Sequence, residues 1–215
     1  AVASDNSLAD SDLLVFNIEL PQGEKIQDKQ SLFDSNGMKV RAVKNVRSAI
    51  VTSTSSQFQT LRNRVDAYTR NGSGRTYFDF IEDFKPYIGS EKNSSELRKL
   101  TASAQVPVTL DIQLMLIPNL ENHLYHSALT QLIEKINETR GHVQESPYYL
   151  SDNTPVVRAI IPSNTLTRFE NDSAIYRIEK TDFFNVETTQ EASVDMGELE
   201  LDPSVNLEEL PIVAV

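Results

Sequence analysis

Three histidines offer the readiest chemistry in this 215-residue chain: His123, His126 and His142. Imidazole serves as a general base, a nucleophile or a metal ligand near neutral pH. His123 and His126 are three apart, so on a helix they share a face and could clasp one cation. Glu121 or Glu145 would have to complete such a ligand set. The competing reading is two polar residues on a solvated helix face. It is the stronger one, because nothing else in the pattern selects a metal. A hydrolytic site needs a nucleophile, a base and an orienting acid, and no Gly-x-Ser-x-Gly turn marks one. P-loop, Gly-x-Gly-x-x-Gly and His-Glu-x-x-His signatures are missing too. Without Cys there is no disulfide, thiolate metal site or thiol nucleophile. The sequence therefore predicts no catalytic residue, no metal and no cofactor.

The elements around these residues are more informative. Between 119 and 140, Leu120, Leu124, Ala128, Leu132 and Ile136 recur every four residues, and Leu129 and Ile133 widen the stripe. That spacing predicts an amphipathic helix with one buried face. Asn119 suits its N-cap, Arg140 its C-terminal dipole and Gly141 a left-handed stop. Ahead of it, Val108, Leu110, Ile112, Leu114 and Leu116 alternate with Thr109, Asp111, Gln113 and Met115, as in a half-buried strand. Behind it come strands at 142–150 and 155–161 and a short helix bearing Leu166 and Phe169. A last strand runs from Ala174 to Ile178 and on to Phe184.

The first half repeats that order. A strand at 13–20 precedes a short helix within 25–35 and an Asn36-Gly37 turn. Strands follow at 38–46 and 48–52. A helix starting at Ser55 or Ser56 then carries Phe58, Leu61, Val65 and Tyr68 on one face. Arg47-Ser48-Ala49-Ile50-Val51 also parallels Arg158-Ala159-Ile160-Ile161. The predicted class is α+β: two tandem ferredoxin-like βαββαβ modules, each an antiparallel sheet with helices on one face. Expected boundaries are a disordered N-terminus at 1–12, modules at 13–90 and 106–184, and a polar linker at 91–105. An acidic linker at 185–209 and a final strand at 210–215 follow. The aromatic run Tyr77, Phe78, Phe80, Phe84 and Tyr87 fits a core better than a partner patch. Each sheet would leave the face opposite its helices bare. An exposed apolar sheet face marks an interface, so that face is the expected functional surface.

Charge is unevenly spread. The formal net charge is −11, with 20 bases and 31 acids, yet no Lys or Arg follows Lys180. Nine acids lie beyond it, which leaves 22 acids against all 20 bases in the first 180 residues, a net of −2. Such acidity argues against binding a nucleic-acid backbone. No apolar run approaches the ~20 residues of a membrane helix.

Leu210-Pro211-Ile212-Val213-Ala214-Val215 reads as a buried strand with nothing left to pair it, as though a domain were cut at its first strand. This text resembles the first catalytic-domain strand of subtilisin-like serine proteases (subtilases), which leads into the catalytic Asp. Residues 142–187 resemble the second half of the ferredoxin-like propeptide of that family, with Ser173-Ala174-Ile175-Tyr176-Arg177-Ile178-Glu179 in its last strand. The pattern Phe58-x-x-Leu61-x-x-Arg64-Val65-x-x-Tyr68, followed by Phe80-Ile81-Glu82-Asp83, is similar to a group of large bacterial subtilases.

The resemblance implies a propeptide-like N-terminal region that acts as intramolecular chaperone and inhibitor of its own protease domain. It also implies a further partner, an AAA-type ATPase. The catalytic Asp, His and Ser would lie beyond Val215, so this chain would not itself be an enzyme. Glu179 and Asp182 would cap helix N-termini of the protease. Phe184, Val186, Met196 and Leu199 would be cleft-binding or processing positions. The absence of Cys and of a signal peptide favours a bacterial cytoplasmic setting, with secretion left open. The rival reading is a regulatory ferredoxin-like module that binds a ligand or partner. A self-standing enzyme is disfavoured by the lack of a convergent motif.

Overall fold

A computed structural model describes Leu8 and residues 12–71, 81–103 and 108–181. The first sheet comprises β1 (Leu13–Glu19), β2 (Lys39–Asn45), β3 (Ser48–Thr54) and β4 (Asp83–Pro86), in the order β2-β3-β1-β4. All its neighbours are antiparallel. Between β1 and β2 lie a 3-10 turn, Ile26–Lys29, and α1 (Gln30–Ser35). Between β3 and β4 lies α2 (Ser55–Asn71). A 3-10 turn at Ser90–Lys92 and α3 (Ser95–Ser103) follow.

The second sheet holds β5 (Thr109–Leu116), β6 (His142–Val143), β7 (Tyr148–Tyr149), β8 (Pro155–Pro162) and β9 (Ile175–Lys180). Its order is β6-β8-β5-β9, with β7 also on β8, again antiparallel throughout. Helix α4 (Asn122–Glu138) connects β5 to β6, and α5 (Leu166–Glu170) connects β8 to β9.

The period-two strands meet the period-3.6 helices on one face of each sheet. In the second, Leu110, Ile112, Leu114 and Leu116 of β5 share a buried cluster with Ala128, Leu132 and Ile136 of α4 and Phe169 of α5. Burying each large aliphatic side chain contributes about 1.5–3 kcal/mol. In the first, Phe16, Ile18, Phe33, Met38, Val51 and Leu61 form a second cluster. Phe16 lies against Phe58 at 4.9 Å and Phe84 at 4.5 Å between ring centroids. Of the aromatic run, Phe84 thus packs on this core and Tyr87 is buried, while Tyr77, Phe78 and Phe80 lie outside the described residues.

The first sheet is not bare on its other face. Six of the seven residues of β3 are buried. Val15 and Ile50, which point away from α1 and α2, belong to the same cluster as Leu97, Leu110 and Tyr125. A polar seam follows this junction. Lys39 pairs with Glu121 at 3.0 Å, and Lys44 pairs with Glu91 at 3.2 Å. A bulge beside Arg41 brings its buried guanidinium to Thr52 Oγ1 at 2.8 Å, to Glu121 at 3.3 Å and to the Asn119 carbonyl. The described residues up to Thr181 therefore form one compact unit that holds both sheets.

Several local expectations change. The polar linker at 91–105 carries α3, with Leu97 fully buried and Lys92 only 1% exposed. Its apolar content is low, but one leucine per turn suffices once a neighbouring sheet covers it. Leu8, within the stretch 1–12 expected to be disordered, is buried in the core cluster; residues 1–7 and 9–11 lie outside the described residues. Asn119 does not cap α4. It adopts a left-handed φ of 58° and exchanges hydrogen bonds with the Arg41 backbone and side chain, leaving Glu121 at the N-cap. At the other end Arg140, not Gly141, takes the positive φ, 62°. Gly141 is required for a different reason: a Cβ there would lie 2.7 Å from the Ile160 carbonyl oxygen. The strand expected over 142–150 is two short pieces separated by Gln144–Pro147. No helix among the described residues is long and apolar enough to cross a membrane.

Candidate functional site

The alternation of β5 decides what the second sheet shows on the side away from α4 and α5. Leu110, Ile112, Leu114 and Leu116 point inward, so Asp111, Gln113 and Met115 point outward. Register sets Ile160, Arg158 and Val156 of β8 beside them, and Glu179 and Arg177 of β9 beside Gln113 and Met115. This face was expected to be apolar. It is instead laced with polar contacts. Arg158 donates to both carboxylate oxygens of Asp111, at 3.3 and 3.2 Å, and Gln144 Nε2 donates to the same carboxylate at 3.3 Å. Tyr148 Oη donates to Gln113 Oε1 at 3.0 Å. Partial burial and the negative charges of Glu179 and Glu145 hold the Tyr148 phenol above its ordinary pKa, so it remains a donor.

Glu179 lies on this face, half-buried, with Arg177 Nε 2.7 Å from its carboxylate. Its charge is therefore shared within the strand. Asp182, Phe184, Val186, Met196 and Leu199 lie outside the described residues. So do the acidic stretch 185–209 and the segment 210–215. The face is a ladder of alternating charge with aromatic Tyr148 and Tyr149 at its margin, 39% and 58% exposed. Such a surface can dock a partner through paired hydrogen bonds and rim charges, with specificity set by charge register.

His142, beside Ile160 in the register, stands on this outward face, whereas His123 and His126 lie on α4. His123, His126 and His142 are all exposed. Among the described residues no group of three His, Asp or Glu side chains is placed to hold a metal ion.

Two charged clusters escaped the sequence reading. Glu121 meets Lys39 and Arg41 at the junction of the sheets. Partial burial opposes its charge, but hydrogen bonds from Lys39 and the backbone and the cations Arg41 and Lys39 outweigh that and pull it down to about 2. The second cluster is buried. Lys135 of α4 donates to the Asp172 carboxylate, whose other oxygen accepts from Ala174 N at 3.0 Å. Lys92 Nζ donates to the Asp172 carbonyl at 2.5 Å, and Asn93 Nδ2 to Glu170 at 2.5 Å. These bonds tie the turn before α3 to the turn before β9. Burial pulls the Lys92 ammonium down to about 7, against the opposing pull of Asp172 and Glu91. Sequence holds no signal for this cluster, because its members are 37 to 80 residues apart.

No family of proteins matches the chain, and no curated protein or solved structure is similar to it at a significant level.

Proposed function

We propose that this chain is the N-terminal, propeptide-like region of a subtilisin-like serine protease, acting as intramolecular chaperone and inhibitor of the protease domain. The strand orders β2-β3-β1-β4 and β6-β8-β5-β9, with helices between the strands, support reading the two sheets as a tandem pair of ferredoxin-like βαββαβ modules. The observation that carries the reading is the second sheet. Among the described residues no helix covers its second face, and in sequence its last strand, β9, is followed by the acidic segment that would cross the protease cleft.

On this reading the open face docks on surface helices of the protease. Glu179 and Asp182 cap helix N-termini, where the dipole favours anions. The tail lies across the active site as an added strand, with Phe184, Val186, Met196 and Leu199 as the positions that enter the cleft. The module would favour folding by ordering part of a fold dominated by non-local contacts, which is slow to form alone. Proteolysis would belong to the parent protein, and an AAA-type ATPase would be a second partner.

The test is to add this chain in trans to the separately produced catalytic domain. Slower peptide hydrolysis and a higher refolding yield are expected. Neither effect, or a gene with no Asp-Ser/Thr-Gly shortly after Val215, overturns the proposal.

A second reading, a regulatory ligand-binding module, is favoured by one observation. A cavity of about 600 Å³ lies at the junction of the sheets, lined by Lys39, Arg41, Thr52, Gln57, Glu121 and His123 among others. It predicts saturable metabolite binding there and indifference to the protease.

A further inference from the structure

Strand β9 stands at the end of the order β6-β8-β5-β9, so β5 pairs one of its edges and leaves the other outermost. Residues 87–94, the stretch between β4 and α3, run along that outer edge. Tyr87 Oη donates to the Tyr176 carbonyl at 2.7 Å, and Ser94 N donates to the Ile178 carbonyl at 2.8 Å. Asn93 also forms a parallel bridge with Ile178. Gly89 N and Asn93 Nδ2 donate to the carbonyl and carboxylate of Glu170, at 3.0 and 2.5 Å. Lys92 Nζ donates to the Asp172 carbonyl at 2.5 Å. An outermost strand invites pairing by another strand. Here the chain covers the edge itself, and Gly89, at a φ of 88°, bends the covering segment near its start.

Closing this strap carries two costs. Lys92 is 1% exposed, its bond is to a neutral carbonyl, and it forms no ion pair among the described residues. The nearby acids are engaged elsewhere: Asp172 by Lys135, Glu91 by Lys44 and Glu170 by Asn93. A buried ammonium without an anion of its own is costly, whereas the neutral amine still donates the same bond. Asn93 Oδ1 is the second cost, because it is buried with no donor. Opening to water relieves both.

We propose that residues 87–94 are an acid-loosened strap: opening hydrates Lys92 and takes up a proton, and it bares the Tyr176 and Ile178 carbonyls of β9. The groups around Lys92 fix the sign. Asp172, Glu91 and Glu170 favour its charge, Lys135 of α4 opposes it, and the Tyr87 ring lies 5.1 Å away with Lys44 over the same ring at 5.2 Å. Burial outweighs the acids and pulls the closed ammonium from 10.5 down to about 7. Burial holds the Tyr87 phenol above its ordinary pKa, so it remains a donor. Closed Lys92 is therefore largely neutral above about 7, opened Lys92 is protonated, and the strap holds more firmly as pH rises. The strap lies along the edge of the second sheet, and the inference stands whether or not the chain is a prodomain.

The test is native-state amide hydrogen exchange on the whole chain at pH 6 to 8, with rates corrected for intrinsic chemistry. Ser94 N reports the strap and Leu114 N, in the central strand β5, reports global unfolding. At pH 6 Ser94 is expected to open at least about tenfold more often than Leu114. Its opening equilibrium is expected to fall about tenfold from pH 6 to pH 8. Lys92→Met is expected to flatten that change to about twofold or less. The native chain decides the matter even if the variant does not fold. Ser94 as protected as Leu114, an opening equilibrium that does not change between pH 6 and 8, or a folded Lys92→Met that keeps the tenfold change overturns the proposal.

Discussion

Replacing Lys92 with Met should make the pH dependence of stability visibly different from that of the native chain. Lys92 is 1% exposed and its ammonium is pulled from 10.5 to about 7 by burial. In the unfolded chain it stays protonated up to about 10.5. Between about 7 and 10.5 the unfolded state therefore binds one more proton than the folded state. Stability must rise with pH across that window, at up to about 1.4 kcal/mol per pH unit. Below about 7 both states are protonated and the slope from this group vanishes. The whole window corresponds to a ceiling of about 5 kcal/mol.

Met has a similar length and no charge, so the variant loses this slope. It also loses the hydrogen bond to the Asp172 carbonyl, worth about 1 kcal/mol. Asp172 keeps Lys135 as its partner. Urea unfolding at pH 6 to 10 gives the native-minus-variant difference, in which other titrating groups largely cancel. The difference should be flat below about pH 7 and climb in favour of the native chain above it. A difference that stays flat to pH 10 would show that Lys92 is not desolvated in solution, and the account of the buried cluster would fail.

Two other outcomes are expected. Asp172→Asn leaves Lys135 buried opposite a neutral amide and should cost about 3–5 kcal/mol, read from the urea midpoint. Glu121 is held at about 2 in the folded chain against an ordinary 4.5. Its contribution to stability is therefore present above about 4.5 and lost as pH falls toward 2. Glu121→Gln should remove that acid-side loss while costing about 1 kcal/mol or less at pH 7, because the carboxylate is largely solvated; thermal melts at pH 2.5, 4 and 7 measure both.

The element order was legible because periodicity is a local property. Leu110 to Leu116 alternate and Leu124 to Ile136 recur at helical spacing, so β5 and α4 appear almost where the sequence puts them. The same alternation names Asp111, Gln113 and Met115 as the outward set of the open face. What periodicity cannot convey is which outward set finds a cover. Val15 and Ile50 on the first sheet become core, while Asp111 and Gln113 on the second stay at the surface. That choice belongs to tertiary packing, which joins both sheets in one compact unit.

The charged clusters divide in the same way. A count along the chain locates the acid-rich stretch after Lys180, because net charge needs no partner to be defined. It does not locate Lys92 beside Asp172, Arg41 beside Glu121, or the cations around Arg98. Each of these pairs or groups joins residues far apart in sequence, and their energies depend on how far folding removes them from water. Sequence alone determined the strands and helices that carry an apolar period, β5 and α4 above all, and the asymmetry of charge. Only the tertiary structure decided which charges are buried and which are paired, because both depend on neighbours that are distant in sequence.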